Sequence, residues 1–114
     1  MDIRTILIID DEIEVCLLLH KHLTKKNKNV AFATNLKDGI EKFEKMKPDL
    51  LILDNNLSKN SCGIANIPTF KSINYSSTII IISAMHNLKK EALTMGADYF
   101  LEKPISFQTF QSIL

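Results

Sequence analysis

The sequence predicts a doubly wound α/β fold, a five-stranded parallel sheet in the order 2-1-3-4-5 with helices on both faces. Three observations predict it. Four short apolar runs lack polar alternation, as strands covered on both faces do. Amphipathic helical stretches separate the strand candidates, so β and α alternate about five times. Right-handed crossovers then leave few topologies, of which this order is a common one.

The elements follow in order. Ile6, Leu7, Ile8 and Ile9 form the first strand, which stops at Asp10 and Asp11. Over 12–26, Ile13, Cys16, Leu17 and Leu23 recur at helical spacing, and Asn27-Lys28-Asn29 ends the helix. Residues 30–33 make a weaker second strand. Asn35 suits an N-cap for a helix carrying Leu36, Ile40, Phe43 and Met46, which Lys47-Pro48 terminates. Residues 50–53 form the third strand and stop at Asp54. The stretch 55–77 is the least regular, rich in Asn and Ser, with Gly63 and Pro68 as breakers. Within it Ile67, Phe70 and Ile73 make one short helical face. Residues 78–82 are the fourth strand, ending at Ser83. Leu88, Ala92, Leu93 and Met95 belong to a short helix stopped by Gly96. Residues 98–101 are the fifth strand, and Phe107, Phe110 and Ile113 mark a final helix over 105–114 that looks short.

Composition narrows the function. The 114 residues suit one domain, 1–114, and are 46% hydrophobic and 24% charged, ordinary for a folded protein. Lys+Arg is 14 against Asp+Glu 13, a net charge of +1, which argues against direct nucleic-acid binding. Arg4 is the single Arg, so paired guanidinium recognition of phosphate is excluded. Cys16 and Cys62 make neither a disulfide framework nor a zinc site. The N-terminus has no long apolar stretch before its first acids, so neither a signal peptide nor a membrane span is expected, and the expected location is the cytoplasm. His20 and His22, two apart on a helix, point roughly 200° away from each other and cannot share an ion. Lys25, Lys26 and Lys28 fit a helix C-terminus, and His86 reads as a surface residue.

The strand order gathers the polar residues. Asp10 and Asp11 leave the first strand, Asp54 the third, Ser83 the fourth, and Lys103 follows the fifth. All meet at the carboxyl edge of the sheet, where open α/β folds bind ligands. Neighbouring carboxylates repel, and a hard divalent cation such as Mg²⁺, which prefers oxygen ligands, relieves the repulsion. A carboxylate beside such an ion and a lysine can attack phosphorus, a reaction that needs mainly positioning and positive charge.

On these residues the chain resembles the receiver domain of two-component response regulators. The motifs are IIDDE at 8–12, LILD at 51–54, IISA at 81–84, GAD at 96–98 and KP at 103–104, and the resemblance spans essentially the whole chain. It implies a flavodoxin-like (βα)5 fold and a Mg²⁺-dependent phosphorelay. Asp54 resembles the phosphoacceptor, fed by a sensor histidine kinase or phosphotransfer protein. Asp10 and Asp11 resemble the acidic metal pair, and Asn56 the position whose carbonyl completes the metal shell. Ser83 and Lys103 resemble the hydroxyl and ammonium groups that engage the phosphoryl oxygens. Ser83 and Phe100 resemble the switch pair that reshapes the helix 4–strand 5–helix 5 face, a face on which homodimers are possible. The resemblance implies a signalling domain rather than an enzyme, with at most slow self-dephosphorylation, since apolar Met85 offers no hydrogen bond to orient water.

The chain departs from the family pattern after strand 3. Ser58 stands where a Pro is common, and Gly63 sits nine residues past Asp54. The loop is therefore expected to be longer or looser, with the third helix shifted. Phe100 replaces a frequent Tyr. Two alternatives are a degenerate receiver acting as a phosphorylation-independent interaction module, and a haloacid dehalogenase-type phosphohydrolase. Against the second, Asn56 occupies the position of that family's second Asp.

Overall fold

The computed structural model describes residues 2–58 and 61–114. Its main sheet holds β1 (Thr5–Ile9), β2 (Asn29–Ala33), β3 (Leu50–Asp54), β6 (Thr78–Ser83) and β7 (Tyr99–Glu102), in the order β2-β1-β3-β6-β7, with every pairing parallel. This is the 2-1-3-4-5 order expected from the alternation. A second, two-stranded antiparallel sheet pairs β4 (Asn56–Ser58) with β5 (Ser61–Cys62). The helices are α1 (Ile13–Thr24), α2 (Leu36–Met46), α3 (Ile67–Ile73), α4 (Lys89–Met95) and α5 (Phe107–Ile113).

The strands lack polar alternation because both faces are covered. Every residue of β3 and β6 is buried. Side chains alternate across a strand, so Leu7, Ile9, Leu51, Leu53, Ile79 and Ile81 face one core. There they meet Phe43 of α2, Ile67 and Phe70 of α3 and Ala92 of α4, with the Phe43 and Phe70 rings edge to face at 4.9 Å. Ile6, Ile8, Leu50, Ile52, Ile80 and Ile82 face the other core, against Cys16, Leu19 and Leu23 of α1 and Phe110 of α5. Two helices thus cover one face and three the other.

Local signals hold at most element ends. The Asn35 side chain accepts from the Asp38 N–H at 2.8 Å and caps α2. Lys47 ends that helix in the left-handed region, Asn27 takes a positive φ after α1, and Gly96, at φ 116°, closes α4. Pro68 sits in the first turn of α3, where its missing N–H costs nothing.

The reading of α1 needs correction. Ile13 and Leu17 are exposed by 41% and 53%, and the buried stripe is Cys16, Leu19 and Leu23. At 3.6 residues per turn these three lie within about 60° of one another, whereas Leu17 is about 100° round from Cys16. On α4, Leu93 and Met95 face solvent and only Ala92 is buried.

The segment after β3 is not a loose loop among the described residues. A hairpin, a 3-10 turn (Ile64–Asn66) and α3 occupy it, apart from Lys59 and Asn60, which lie outside the described residues. Asn55 organises it. Its Oδ1 accepts from the Ile64 N–H at 3.0 Å and the Cys62 thiol at 2.9 Å, and its carbonyl accepts from the Gly63 N–H at 2.8 Å. Gly63 allows the close approach, since a Cβ there would sit 2.4 Å from the Asp54 carbonyl oxygen.

The histidines take up separate packing roles. His20 sets its edge on Phe32, and His22 stacks on Phe107 at 4.0 Å. Both cysteines are free. No helix among the described residues is long and apolar enough to cross a membrane.

Candidate functional site

Strand register builds the site. Ile9 pairs with Leu53, so the next residues, Asp10 and Asp54, leave adjacent strands side by side. Asp54 in turn pairs with Ile82, one residue before Ser83. Ser83 pairs with Glu102 and its carbonyl accepts from the Lys103 N–H at 2.8 Å, which brings the lysine to the same edge. The Lys103–Pro104 peptide bond is cis.

Lys103 Nζ is the hub. It lies 3.2 Å from Asp10 Oδ2, 3.4 Å from Asp54 Oδ1 and 3.1 Å from Glu12 Oε1. Asp10 and Asp54 are almost wholly buried, whereas Asp11 and Glu12 are exposed. Asp10 Oδ1 accepts from the Glu12 N–H at 2.9 Å. Its Oδ2 makes the ion-pair contact but receives no well-directed hydrogen bond. A cavity of about 310 Å³ opens here, lined by Asp11, Glu12, Asp54, Asn56, Ala84 and Lys103.

The electrostatics follow from burial. Desolvation, reinforced by the Asp10 charge and opposed by Lys103, pushes the Asp54 carboxyl up from 3.8 to about 7. Burial also raises Asp10, against the Glu12 N–H and the Lys103 charge. Burial alone would lower Lys103, but Asp54 and Asp10 outweigh it and hold the ammonium above its usual range. Cys16, behind Asp10, donates from Sγ to the Asp10 carbonyl at 3.3 Å, and burial pushes its thiol up to about 11.

The residues present suit a hard divalent cation. The donors are all oxygen, and one buried carboxylate oxygen lacks a directed hydrogen bond. Carboxylate oxygens of Asp10, Asp11 and Glu12 also lie within 4.8 Å of one another.

Of the other sequence candidates, Asn56 lines the cavity, and Ser83, Phe100 and Met85 are placed around it by their own contacts. The Ser83 Oγ accepts from the Met85 N–H at 3.0 Å, so the buried hydroxyl holds its own loop. Phe100 is half-buried and packed against the core shared with α2, α3 and α4. Asn56 lines the cavity from β4, and Met85 is 55% exposed. Sequence reasoning passed over Glu12 as a site residue. Its place in IIDDE was visible, but its contact with a residue 91 positions away was not.

A buried aspartate pair facing one lysine at the carboxyl edge of a 2-1-3-4-5 sheet defines an acidic, oxygen-rich α/β site. The chain matches the response regulator receiver domain over residues 6–114 and belongs to that family. It is 31% identical over 111 residues to the transcriptional regulatory protein ZraR of Escherichia coli K12, covering 96% of this chain and 25% of that protein. The chain thus spans about a quarter of the length of the ZraR relatives. It is 33% identical over 104 residues to the chemotaxis protein CheY of Thermotoga maritima, covering 89% of this chain and 86% of CheY. A crystal structure of a response regulator from Burkholderia pseudomallei, with a phosphorylated aspartic acid, calcium and citrate, superposes with TM-score 0.88 at 21% identity. It covers 96% of this chain and 65% of that one.

Proposed function

We propose that the chain is an active receiver unit over 1–114, in which Asp54 accepts a phosphoryl group from a phosphohistidine of a sensor kinase or phosphotransfer protein. The observation that carries this reading is Lys103 Nζ, set 3.2 and 3.4 Å from the buried Asp10 and Asp54 at one sheet edge. Such an arrangement holds the nucleophile and the positive charge that phosphoryl transfer needs.

Asp10, Asp11, Asp54 and the Asn56 carbonyl are the residues that would hold Mg²⁺. When bound, the ion supplies charge neutralisation at the phosphoryl oxygens. The Asp54 carboxylate attacks phosphorus in line as the bond to the donor nitrogen breaks. Lys103 is fully charged at neutral pH and steadies the equatorial oxygens. Ser83 Oγ accepts from the Met85 N–H and keeps its own O–H to donate to a phosphoryl oxygen, and its move toward that group is the first motion of the switch. Phe100 then turns with the α4–β7–α5 face, which carries exposed Leu93, Met95 and Tyr99 for an effector or a second copy. The proposed setting is the cytoplasm, where Cys16 and Cys62 stay reduced. The exposed Met85 offers no group to orient an attacking water, so loss of the phosphoryl group is slow.

Incubation with acetyl phosphate and Mg²⁺ should add one phosphate to the wild type and none to Asp54→Asn. An unmodified wild type, under conditions that label other receivers, would point instead to an interaction module working without phosphorylation. Turnover of p-nitrophenyl phosphate would favour the dehalogenase-type hydrolase, which the amide Asn56, unable to act as a general acid, already disfavours.

A further inference from the structure

We propose that Glu12 is a positioning residue that holds Lys103 at the mouth of the site and must release it when a phosphoryl group arrives. The inference rests on Asp54 being the phosphoacceptor. Two independent observations carry it. First, among the three carboxylates around Lys103 Nζ, the well-directed hydrogen bond goes to Glu12 Oε1 at 3.1 Å, and the contacts to Asp10 and Asp54 are longer. The side chain most exposed to water, at 60%, therefore has the best-formed contact with the lysine. Second, Glu12 occupies the N-cap of α1 without capping it. Its backbone is extended, its carbonyl accepts from the Val15 and Cys16 N–H groups, and its side chain makes no cap hydrogen bond. Ser, Thr, Asp or Asn would cap this turn. The carboxylate instead turns away from the helix toward Lys103.

The pair also has a telling position. Glu12 and Lys103 both line the polar cavity over Asp54 and a second, apolar cavity of about 250 Å³ bounded by Val15, Leu18, Pro104 and Phe107. The ion pair is the wall between them. While it points one of its three N–H groups at Glu12, Lys103 Nζ cannot turn that donor to an incoming phosphoryl oxygen. In the transfer, the bond from phosphorus to the donor (P–N in a phosphohistidine, P–O in acetyl phosphate) breaks as the bond to Asp54 forms, and three oxygens need the charge that Lys103 has been sharing with Glu12. Glu12 therefore sets a threshold on the rate without touching the reacting atoms. An exposed pair is worth up to about 1 kcal/mol, a factor of about 5 in rate.

The test is labelling by acetyl phosphate at saturating Mg²⁺. Glu12→Gln and Glu12→Ala should both be labelled about 2–5 times faster than wild type, with melting temperatures within about 5 °C of it. The acceleration should vanish when Lys103 is also changed to Gln. Without metal or donor, the Lys103 ammonium protons should exchange with water faster in Glu12→Gln than in wild type. Equal rates in wild type and both variants overturn the proposal. Equal acceleration in the Lys103→Gln background also overturns it, since that outcome assigns the effect to repulsion of the anionic donor. A wild type that takes no label at all refutes the phosphoacceptor reading instead, and the ammonium exchange comparison still judges the hold of Glu12 on Lys103.

Discussion

Asp49 shows how one carboxylate joins two strands. It accepts from the Arg4 N–H at 2.9 Å and the Thr5 N–H at 3.1 Å, while its own N–H donates to Thr5 Oγ1 at 2.9 Å. These bonds tie the start of β1 to the start of β3. The Arg4 N–H, then Thr5, hold its carboxyl below the ordinary 3.8. A depressed folded value stabilises the protein fully above 3.8, and the stability is lost as pH falls through the folded value. Asp49→Ala should cost about 1–2 kcal/mol at pH 7 in urea melts, and the difference from wild type should shrink below pH 4. Asp54 has the opposite sign. Its carboxyl rises to about 7, so wild-type stability falls as pH climbs from about 4 to 7. In metal-free buffer Asp54→Asn should gain on the order of 1–2 kcal/mol at pH 8 and almost nothing at pH 4. A destabilised Asn variant at pH 8 would mean that Lys103, left with one fewer acid, outweighs the relief.

At the scale of elements, the hairpin after β3 is where close packing replaces the expected loose loop. Gly63 has ordinary helical backbone angles, so its role is space rather than conformational freedom. An added Cβ would meet backbone atoms, the Asp54 carbonyl oxygen at 2.4 Å and Asn55 Cα at 3.1 Å, and neither can swing aside. Gly63→Ala should therefore cost about 1–3 kcal/mol and slow labelling of Asp54, because the strand end that carries it must move. Gly39→Ala is the control of different character. There a Cβ would meet the Ile9 side chain, one residue before Asp10, rather than backbone. Wild-type labelling in Gly63→Ala would show that the hairpin is independent of the site. The contrast also marks what the sequence could convey. The central strands were legible because their uninterrupted apolar runs report burial on both faces. The acids were legible because each directly follows such a run. The hairpin was not, since its strands of three and two residues are too short for any periodicity. The turn of α1 was misread because four apolar residues in the row 16–19 leave the buried stripe ambiguous until the sheet selects one. Glu12 was hidden for a third reason, that its partner is distant in sequence.

Across the whole molecule, burial is graded from the sheet outward. β3 and β6 are entirely buried and join both cores. The last two helices are held far more lightly. α4 is seven residues long with Ala92 as its buried residue, and α5 is seven residues long with Phe110 as its own. Helices this short do not persist without tertiary packing. Elements with few buried contacts open locally at a fraction of the global free energy. Native-state hydrogen exchange should therefore show β3 and β6 amides opening only with global unfolding, on the order of 5–15 kcal/mol. Amides of α4 and α5 should open several kcal/mol more cheaply. Phe110→Ala should speed exchange in α5 first, while its cost of about 3–5 kcal/mol lowers the ceiling for the sheet. The same gradient places freedom to move on the α4–β7–α5 face and rigidity at the acids. Under the proposed function, a phosphoryl group at a rigid strand end would shift only those elements whose alternative states lie within a few kcal/mol. Exchange as slow in α4 as in β6 would remove that basis for switching on this face.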